Sequence, residues 1–411
     1  MAATLWGKVY FDKTFAGELR QEPGGRCVFT YDRSYLDARS PAIAFTLPKR
    51  AEPYLSESGL HPFFDNLVAE GWLRNAQARA LKIEADNRFA LLLAFGHDCA
   101  GAVSIIDPAP VREPSVDFDD PVTAAALTSR GSLSGVQPKL LAVREGRGYR
   151  PATRDEISTH IAKLPSGALR DLVENEFLTT QAVRTLLPDD DVVAVAIAPV
   201  KGVQERALLV PRFDRRPSGA KIHFEEFNQL LGRRSGDEKY DAAYEDMGLF
   251  IRNTPGCSLV DAWRLYRRVL VCILTGNTDA HLKNFAMLHT PDGMRLTPAY
   301  DLVAAVLYPD YRTLALRLAG AENLALDKVR PKHLVALGEA CGLSETVIRD
   351  AIDDLGRRRQ AADKAVRSAA KAVDVMPLAD DLLELMEHRW NGTFSSIGQY
   401  LSTKRSGGVG E

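Results

Sequence analysis

Little in this chain points to secretion or to a membrane. Its five cysteines, Cys27, Cys99, Cys257, Cys272 and Cys341, stand apart from one another. No pair has the spacing of a metal or redox motif, and an odd number suits a reduced cytoplasm better than a disulfide framework. The opening MAATLWGKVYFDK lacks the basic-then-apolar pattern of a secretory signal. Apolar runs such as Val269 to Leu274 are far too short to cross a bilayer. Charge of one sign is missing as well: 52 Lys and Arg face 54 Asp and Glu, a net charge of −2. That balance gives no global attraction for nucleic acid or anionic lipid. The basic clusters Arg233-Arg234, Arg267-Arg268 and Arg357-Arg358-Arg359 read as solvated helix faces. The expectation is a cytoplasmic protein with no membrane partner.

What is present is globular. The chain is 45% apolar and 26% charged, and its 411 residues exceed what one hydrophobic core usually covers. Residues 1–107 read as an N-terminal α/β subdomain, with strands at Leu5–Tyr10 and Cys27–Tyr31 and a Gly24-Gly25 turn between them. A strand-like Ala42–Leu47 and helical stretches around Phe63–Ile83 and Asn87–Phe95 complete it. The Pro- and acid-rich 107–121 marks a domain edge. Residues 108–222 return to mixed character, with a Gly/Ser loop at 131–139, a strand at Thr159–Leu164 and a helix at Leu169–Leu187. β-rich stretches at Val192–Pro199 and Arg206–Phe213 follow. Residues 223–402 are mostly helical with one hairpin, and 403–411 form a polar tail.

The chemistry concentrates after a helix. Ser258 with Asp261 resembles a helix start, and Gly276-Asn277 a stop, so Asp279 falls in a loop at the end of a buried helix. Asp279 and Asn284 have the Asp-x-x-x-x-Asn spacing of kinase catalytic loops. Taken alone, that spacing is an ordinary turn. A hairpin follows, Phe285–His289 and Met294–Thr297 about Pro291-Asp292-Gly293, and it brings Asp301 back beside Asn284. Asn284 and Asp301 next to a third carboxylate make an oxygen site suited to Mg2+, which in turn takes phosphate oxygens and so points to a nucleoside triphosphate.

Lys163 ends the strand at 159–164 and is the candidate cation for the phosphates. Glu176 falls on the apolar face of the next helix and Glu174 away from it. A buried carboxylate needs a partner: Lys163, as in kinases, or else an arginine or backbone amide. The loop Gly131-Ser132-Leu133-Ser134-Gly135-Val136-Gln137-Pro138-Lys139 lets backbone N–H groups approach phosphate, although it is not a Walker A sequence. His281 reads as a hydrogen-bonded brace of the catalytic loop, with Lys283 as a further support.

The stretches SLSGVQPKL (132–140), THIAKLP (159–165), VENEF (173–177), PRFDRR (211–216), NTDAHLKNF (277–285) and LTPAYDL (296–302), with HPFFDNLVAEG at 61–71, resemble the HipA toxin kinases of bacterial type II toxin–antitoxin systems. The resemblance covers nearly the whole chain in family order. It implies an α+β, protein-kinase-like two-lobed fold with an extra N-terminal α/β subdomain and a mostly helical C-terminal lobe. It implies Asp279 as catalytic aspartate, Asn284 and Asp301 as Mg2+ ligands, and Lys163 as the ATP-phosphate lysine. Ser134, Gly135, Val136, Gln137 and Tyr300 join the ATP-binding residues, and Pro211, Arg212 and Phe213 become the hinge that receives adenine through backbone groups. Pro211 departs from members that carry glutamate there. Ser132, with Ser134 as a second position, corresponds to an inactivating autophosphorylation site. The implied partners are a small helix-turn-helix antitoxin (HipB-like), operator DNA through it, and an aminoacyl-tRNA synthetase, typically the glutamyl enzyme, as the substrate whose modification arrests translation and promotes dormancy. Two other readings remain: a small-molecule hydroxyl phosphotransferase with the same loop, and a degenerate kinase acting as a corepressor scaffold.

Overall fold

A computed structural model describes residues 5–109, 120–129, 131, 137–153 and 156–407 of the chain. The molecule divides into two units, residues 1–168 with 196–239, and residues 169–195 with 240–411. The segments expected at 1–107 and 108–222 thus share a unit, apart from a helical insert that belongs to the other.

In the first unit, β1 (Leu5–Phe11), β2 (Thr14–Gln21), β3 (Cys27–Tyr31), β4 (Tyr54–Ser56) and β5 (Val103–Ile106) form an antiparallel sheet in the order β4-β3-β2-β1-β5. The sequence reading passed over β2. Gly17 within it is required by close approach, since a Cβ there would lie 2.2 Å from the Thr30 carbonyl oxygen of β3. Helices α1 (Arg33–Asp37), α2 (Pro62–Asp65), α3 (Gly71–Leu81) and α4 (Arg88–Phe95) complete this part. Val9, Leu19, Phe29, Phe64, Leu92 and Phe95 pack into one core with Val103 and Ile105. The strand expected at Ala42–Leu47 is a turn instead. The buried Tyr31 hydroxyl takes the Ile43 N–H at 3.0 Å and gives its proton to the Leu47 carbonyl at 2.5 Å, which replaces ladder bonds by a side-chain clasp.

After α5 (Pro121–Thr128), β6 (Lys139–Glu145), β7 (Gly148–Pro151) and β8 (His160–Lys163) begin a second sheet. The chain leaves for α6 (Leu172–Leu186) and returns with β9 (Ala196–Pro199) and β10 (Arg206–Pro211), giving the order β7-β6-β8-β10-β9. The stretch expected at Val192–Pro199 is therefore split: Val192 bridges to Ala299 in the second unit, and Ala196–Pro199 pairs with β10 in the first. Short β11 (Phe224–Glu226) and α7 (Phe227–Leu230) follow.

A buried quartet of charges ties the two sheets of this unit together. Arg212 pairs with Asp98 at 3.1 Å and Asp214 at 2.7 Å, while Arg215 pairs with Asp98 at 2.6 Å and Asp214 at 2.8 Å. Ser158, just before β8, bonds Asp98 at 2.9 Å, and both guanidiniums donate to the Cys99 carbonyl. Burial pushes the Asp98 and Asp214 carboxyls up, but the guanidiniums of Arg212 and Arg215 outweigh it and hold both well below the usual range.

The second unit is mostly helical: α6, α8 (Tyr244–Asn253), α9 (Leu259–Thr275), α10 (Pro331–Ala340), α11 (Glu345–Val373), α12 (Met376–Arg389) and α13 (Ile397–Gly407), with the hairpin β12 (Ala286–Thr290) and β13 (Gly293–Leu296). α6 packs along the long α11. Leu265, Val269, Leu270 and Ile273 on α9 are fully or almost fully buried, so α9 is the unit's central helix. Arg267 and Arg268 are not on a solvated face as expected. Both are buried, because Arg267 pairs with Asp189 and Asp354 and Arg268 with Asp190. The doublet is the anchor of the α6 exit loop. No helix among the described residues is long and apolar enough to cross a membrane.

Candidate active site

α9 ends as its sequence predicts. Ser258 caps the start by accepting the Val260 N–H, and Gly276 closes the end in the left-handed conformation at φ 76°. The chain then turns tightly. The His281 N–H is shared between the Asp279 carbonyl at 2.8 Å and Asn284 Oδ1 at 3.0 Å, so one backbone donor holds both ends of the Asp-x-x-x-x-Asn run. His281 is thus a brace through its backbone. Its neighbours Thr278, Ala280, Leu282 and Lys283 are buried, whereas Asp279, Asn284 and Asp301 are partly exposed. A packed loop presents three oxygen-bearing side chains to solvent.

The hairpin delivers Asp301 to this loop. Gly293, at φ 109°, makes the turn, and Asn284 Nδ2 donates to Asp301 Oδ2 at 2.5 Å. Asp301 itself is left-handed at φ 58°, a conformation aspartate tolerates better than most residues, and its carbonyl accepts Asn277 Nδ2 at 3.2 Å. Tyr300 donates its hydroxyl to the Lys283 carbonyl at 2.8 Å, fastening the Asp301 segment to the catalytic loop.

α9 holds this segment a second time, from its own polar side. Asp261 accepts the Leu296 N–H at 3.2 Å, which fixes the end of β13. Arg264 and Arg268 grip Asp190, and the adjoining Asp191 carbonyl accepts the Ala299 N–H at 2.8 Å. The helix that carries Asp279 at its end therefore also fixes the strand that presents Asp301.

The donor set suits a hard cation. Asp301 offers a carboxylate, and Asn284 Oδ1 retains a second lone pair after taking the His281 N–H. All the groups are oxygens, and no thiol or imidazole competes among them. Asn284 and Asp301 would hold Mg2+, which would supply charge neutralisation for a polyphosphate.

Phenols surround Asp279. Tyr240 Oη donates to Asp279 Oδ1 at 3.3 Å and sets its ring edge-on to His281 at 5.3 Å. Burial, and then the negative charge of Asp279, push the Tyr311 phenol up, and the Tyr311 carbonyl takes the Thr278 hydroxyl at 2.9 Å. The sequence reading missed both tyrosines, because neither lies within a motif.

In the first unit, Lys163 ends β8 and is only 7% exposed. Directly opposite it on β6 is Lys139. Two like charges at one register position repel, and an anion between them reverses the sign of the interaction. Lys139 lay inside the quoted 132–140 run, but its pairing with Lys163 is a fact of strand register. Gln137 Nε2 donates to the Leu164 carbonyl at 2.8 Å, and Leu164 N–H donates to Pro138, so the exit of the Gly/Ser loop is pinned to the end of β8. The loop's entry is pinned too, since Gln77 donates to the Gly131 carbonyl at 3.0 Å. Ser132, Ser134, Gly135 and Val136 lie outside the described residues.

Arg212 follows directly on β10. Its guanidinium belongs to the buried quartet, and its N–H already donates to the Thr159 carbonyl at 2.9 Å. The ring of Phe213 meets Phe224 edge-on at 5.0 Å. Glu176 is 3% exposed on α6, as the helical periodicity requires. Lys163 and Glu176 belong to different units.

Comparison with known proteins adds to this geometry. The HipA N-terminal domain profile matches residues 7–106, and the HipA-like C-terminal domain profile matches residues 131–365. A Sinorhizobium fredii protein, Y4dM, named only as a candidate kinase, is 31% identical over 389 residues, 88% of this chain and 93% of that protein. The serine/threonine-protein kinase toxin HipA of Shewanella oneidensis is 28% identical over 378 residues, 82% of this chain and 83% of that protein. The solved structure of Shewanella oneidensis MR-1 HipA with HipB and operator DNA superposes with a TM-score of 0.73 at 22% identity, covering 95% of this chain and 99% of that one. The fold is α+β and kinase-like. With profiles of both domains matched in order, and a relative above 30% identity along most of its length, the chain belongs to the HipA family.

Proposed function

We propose that this protein is a serine/threonine protein kinase that transfers the γ-phosphoryl group of ATP to a protein hydroxyl. One observation carries the reading: Asn284 and Asp301 meet beside Asp279 in a loop that α9 fixes from both directions. Asp279 receives the proton of the attacking serine as its oxygen bonds to the γ-phosphorus. The bond from that phosphorus to the β–γ bridging oxygen breaks, and ADP leaves with the electron pair. Lys163 and Lys139 hold the phosphates. Ser132 or Ser134 is the site of self-inactivation.

The relatives' names support the rest of the reading. One is called a kinase toxin, and the superposed structure is a complex with an antitoxin and operator DNA. On that basis the chain acts as a toxin, neutralised by a DNA-binding antitoxin of the HipB type. Neither name gives a target; the resemblance of the chain's motifs to the family implies an aminoacyl-tRNA synthetase such as the glutamyl enzyme.

The test is Asp279→Asn, which keeps the shape of the loop. Phosphate transfer from labelled ATP to protein should fall by at least about 100-fold, the lower end of what a positioned base contributes. Undiminished labelling would remove Asp279 from the mechanism. Phosphopeptide mapping of the wild type against this variant should place phosphate at Ser132 or Ser134 in the wild type alone.

A further inference from the structure

A base accepts a substrate proton from a hydroxyl within about 2.6–3.2 Å of its carboxylate, or through one bridging water. One of the chain's own hydroxyls already points there. Tyr240 Oη donates to Asp279 Oδ1 at 3.3 Å. The bond is longer than the ordinary 2.5–3.0 Å of an O–H···O contact, so it holds the carboxylate loosely and yields to a better donor. Tyr240 ends a single 3₁₀ turn, Asp237–Tyr240, and its side chain is 41% exposed although tyrosine is a large aromatic. Its edge-on contact with the buried His281 ring aims the phenol at Asp279. An exposed ring on one short turn can swing aside at small cost.

We propose that Tyr240 is a placeholder for the acceptor hydroxyl. Its phenol caps Asp279 while no acceptor is bound, the incoming serine displaces it, and its presence denies the position to water. The proposal rests on the reading of Asp279 as the base of a kinase. It makes Tyr240 the residue that separates protein phosphorylation from ATP hydrolysis. In hydrolysis, water stands where serine would: its oxygen bonds to the γ-phosphorus, its proton goes to Asp279, and ADP and inorganic phosphate are the products.

Tyr240→Phe removes the hydroxyl and keeps the ring against His281. With Mg-ATP and no acceptor, release of inorganic phosphate should rise about fivefold, the effect of losing one ordinary hydrogen bond. With casein as acceptor, its KM should fall, because nothing has to be displaced. Asp279→Asn, run alongside, separates the two levels. With both proteins treated with a phosphatase beforehand, equal activity of wild type and Asp279→Asn, or inactivity of both, removes the kinase reading and the placeholder with it. If wild-type activity depends on Asp279 but Tyr240→Phe matches wild type in phosphate release and in the KM for casein, the placeholder alone is overturned. Phosphate found on Tyr240 itself would also overturn it, since that residue would then be an acceptor.

Discussion

Asp301 shows how much chemistry rests on one backbone conformation. At φ 58° it reaches Asn284 with its carboxylate while Asn277 holds its carbonyl. Asp301→Asn keeps the size and tolerates the same φ, but removes the charge that would attract Mg2+. The magnesium concentration for half-maximal phosphate transfer should rise by at least about 10-fold, since even outer partners of a metal site contribute that much. A magnesium titration of transfer measures it, and an unchanged midpoint would move the metal elsewhere. The residues around this centre were legible to different degrees. Asp279, Asn284 and Asp301 could be found because Gly276 and the Pro291-Asp292-Gly293 turn announce the folding of the chain between them. Tyr240 and Tyr311 could not, because they reach Asp279 from segments with no local signal of their own.

At the scale of the element, α9 joins Asp279 to Asn284 and Asp301. Its Arg264 and Arg268 share Asp190, whose carboxyl burial pushes up and the two guanidiniums pull down further. Asp190→Ala leaves both cations without this partner in a buried setting and should cost about 3–5 kcal/mol. Asp191, next to it, has an exposed side chain and holds Ala299 only through its backbone. Asp191→Ala should therefore change stability by less than about 0.5 kcal/mol. Urea unfolding of the two variants makes the comparison, and equal losses would refute the assignment. Local sequence predicted α9 well, because its caps and apolar stripe lie within it. It misread Arg267-Arg268 as a surface pair, since their partners Asp189 and Asp190 sit nearly eighty residues upstream. The same limit hid the facing of Lys139 and Lys163, which only strand register reveals.

For the molecule as a whole, the quartet of Asp98, Arg212, Asp214 and Arg215 explains why the N-terminal sheet and the sheet of β6 to β10 form one unit. Both carboxyls lie below their ordinary range, so their contribution is complete above about pH 4, near the unfolded value, and is lost as pH falls through the folded values. Acidification below about pH 4 should therefore unfold the first unit, followed by the fluorescence of Trp6 and Trp72 in a protein whose Trp263 and Trp390 are replaced by phenylalanine. Asp98→Asn should be less stable than wild type at neutral pH, with the gap narrowing in acid. A constant gap at all pH values would show that the charge of Asp98 is not what stabilises. The α+β class and the order of the segments were readable from alternation, turns and caps. The shared unit was not, because PRFDRR gives no sign that its arginines turn inward to a carboxylate more than a hundred residues away.

The chain crosses from one unit to the other three times, at 168/169, 195/196 and 239/240. The gene consequently has no single seam. A fragment beginning at Tyr240 would carry Asp279, Asn284 and Asp301 yet lack α6, Asp189 and Asp190, leaving Arg268 without its carboxylate and α11 without the helix it packs along. An isolated catalytic half would have to be spliced from two separate exon-like pieces, and any attempt to trade that half between relatives must carry the 169–195 insert with it.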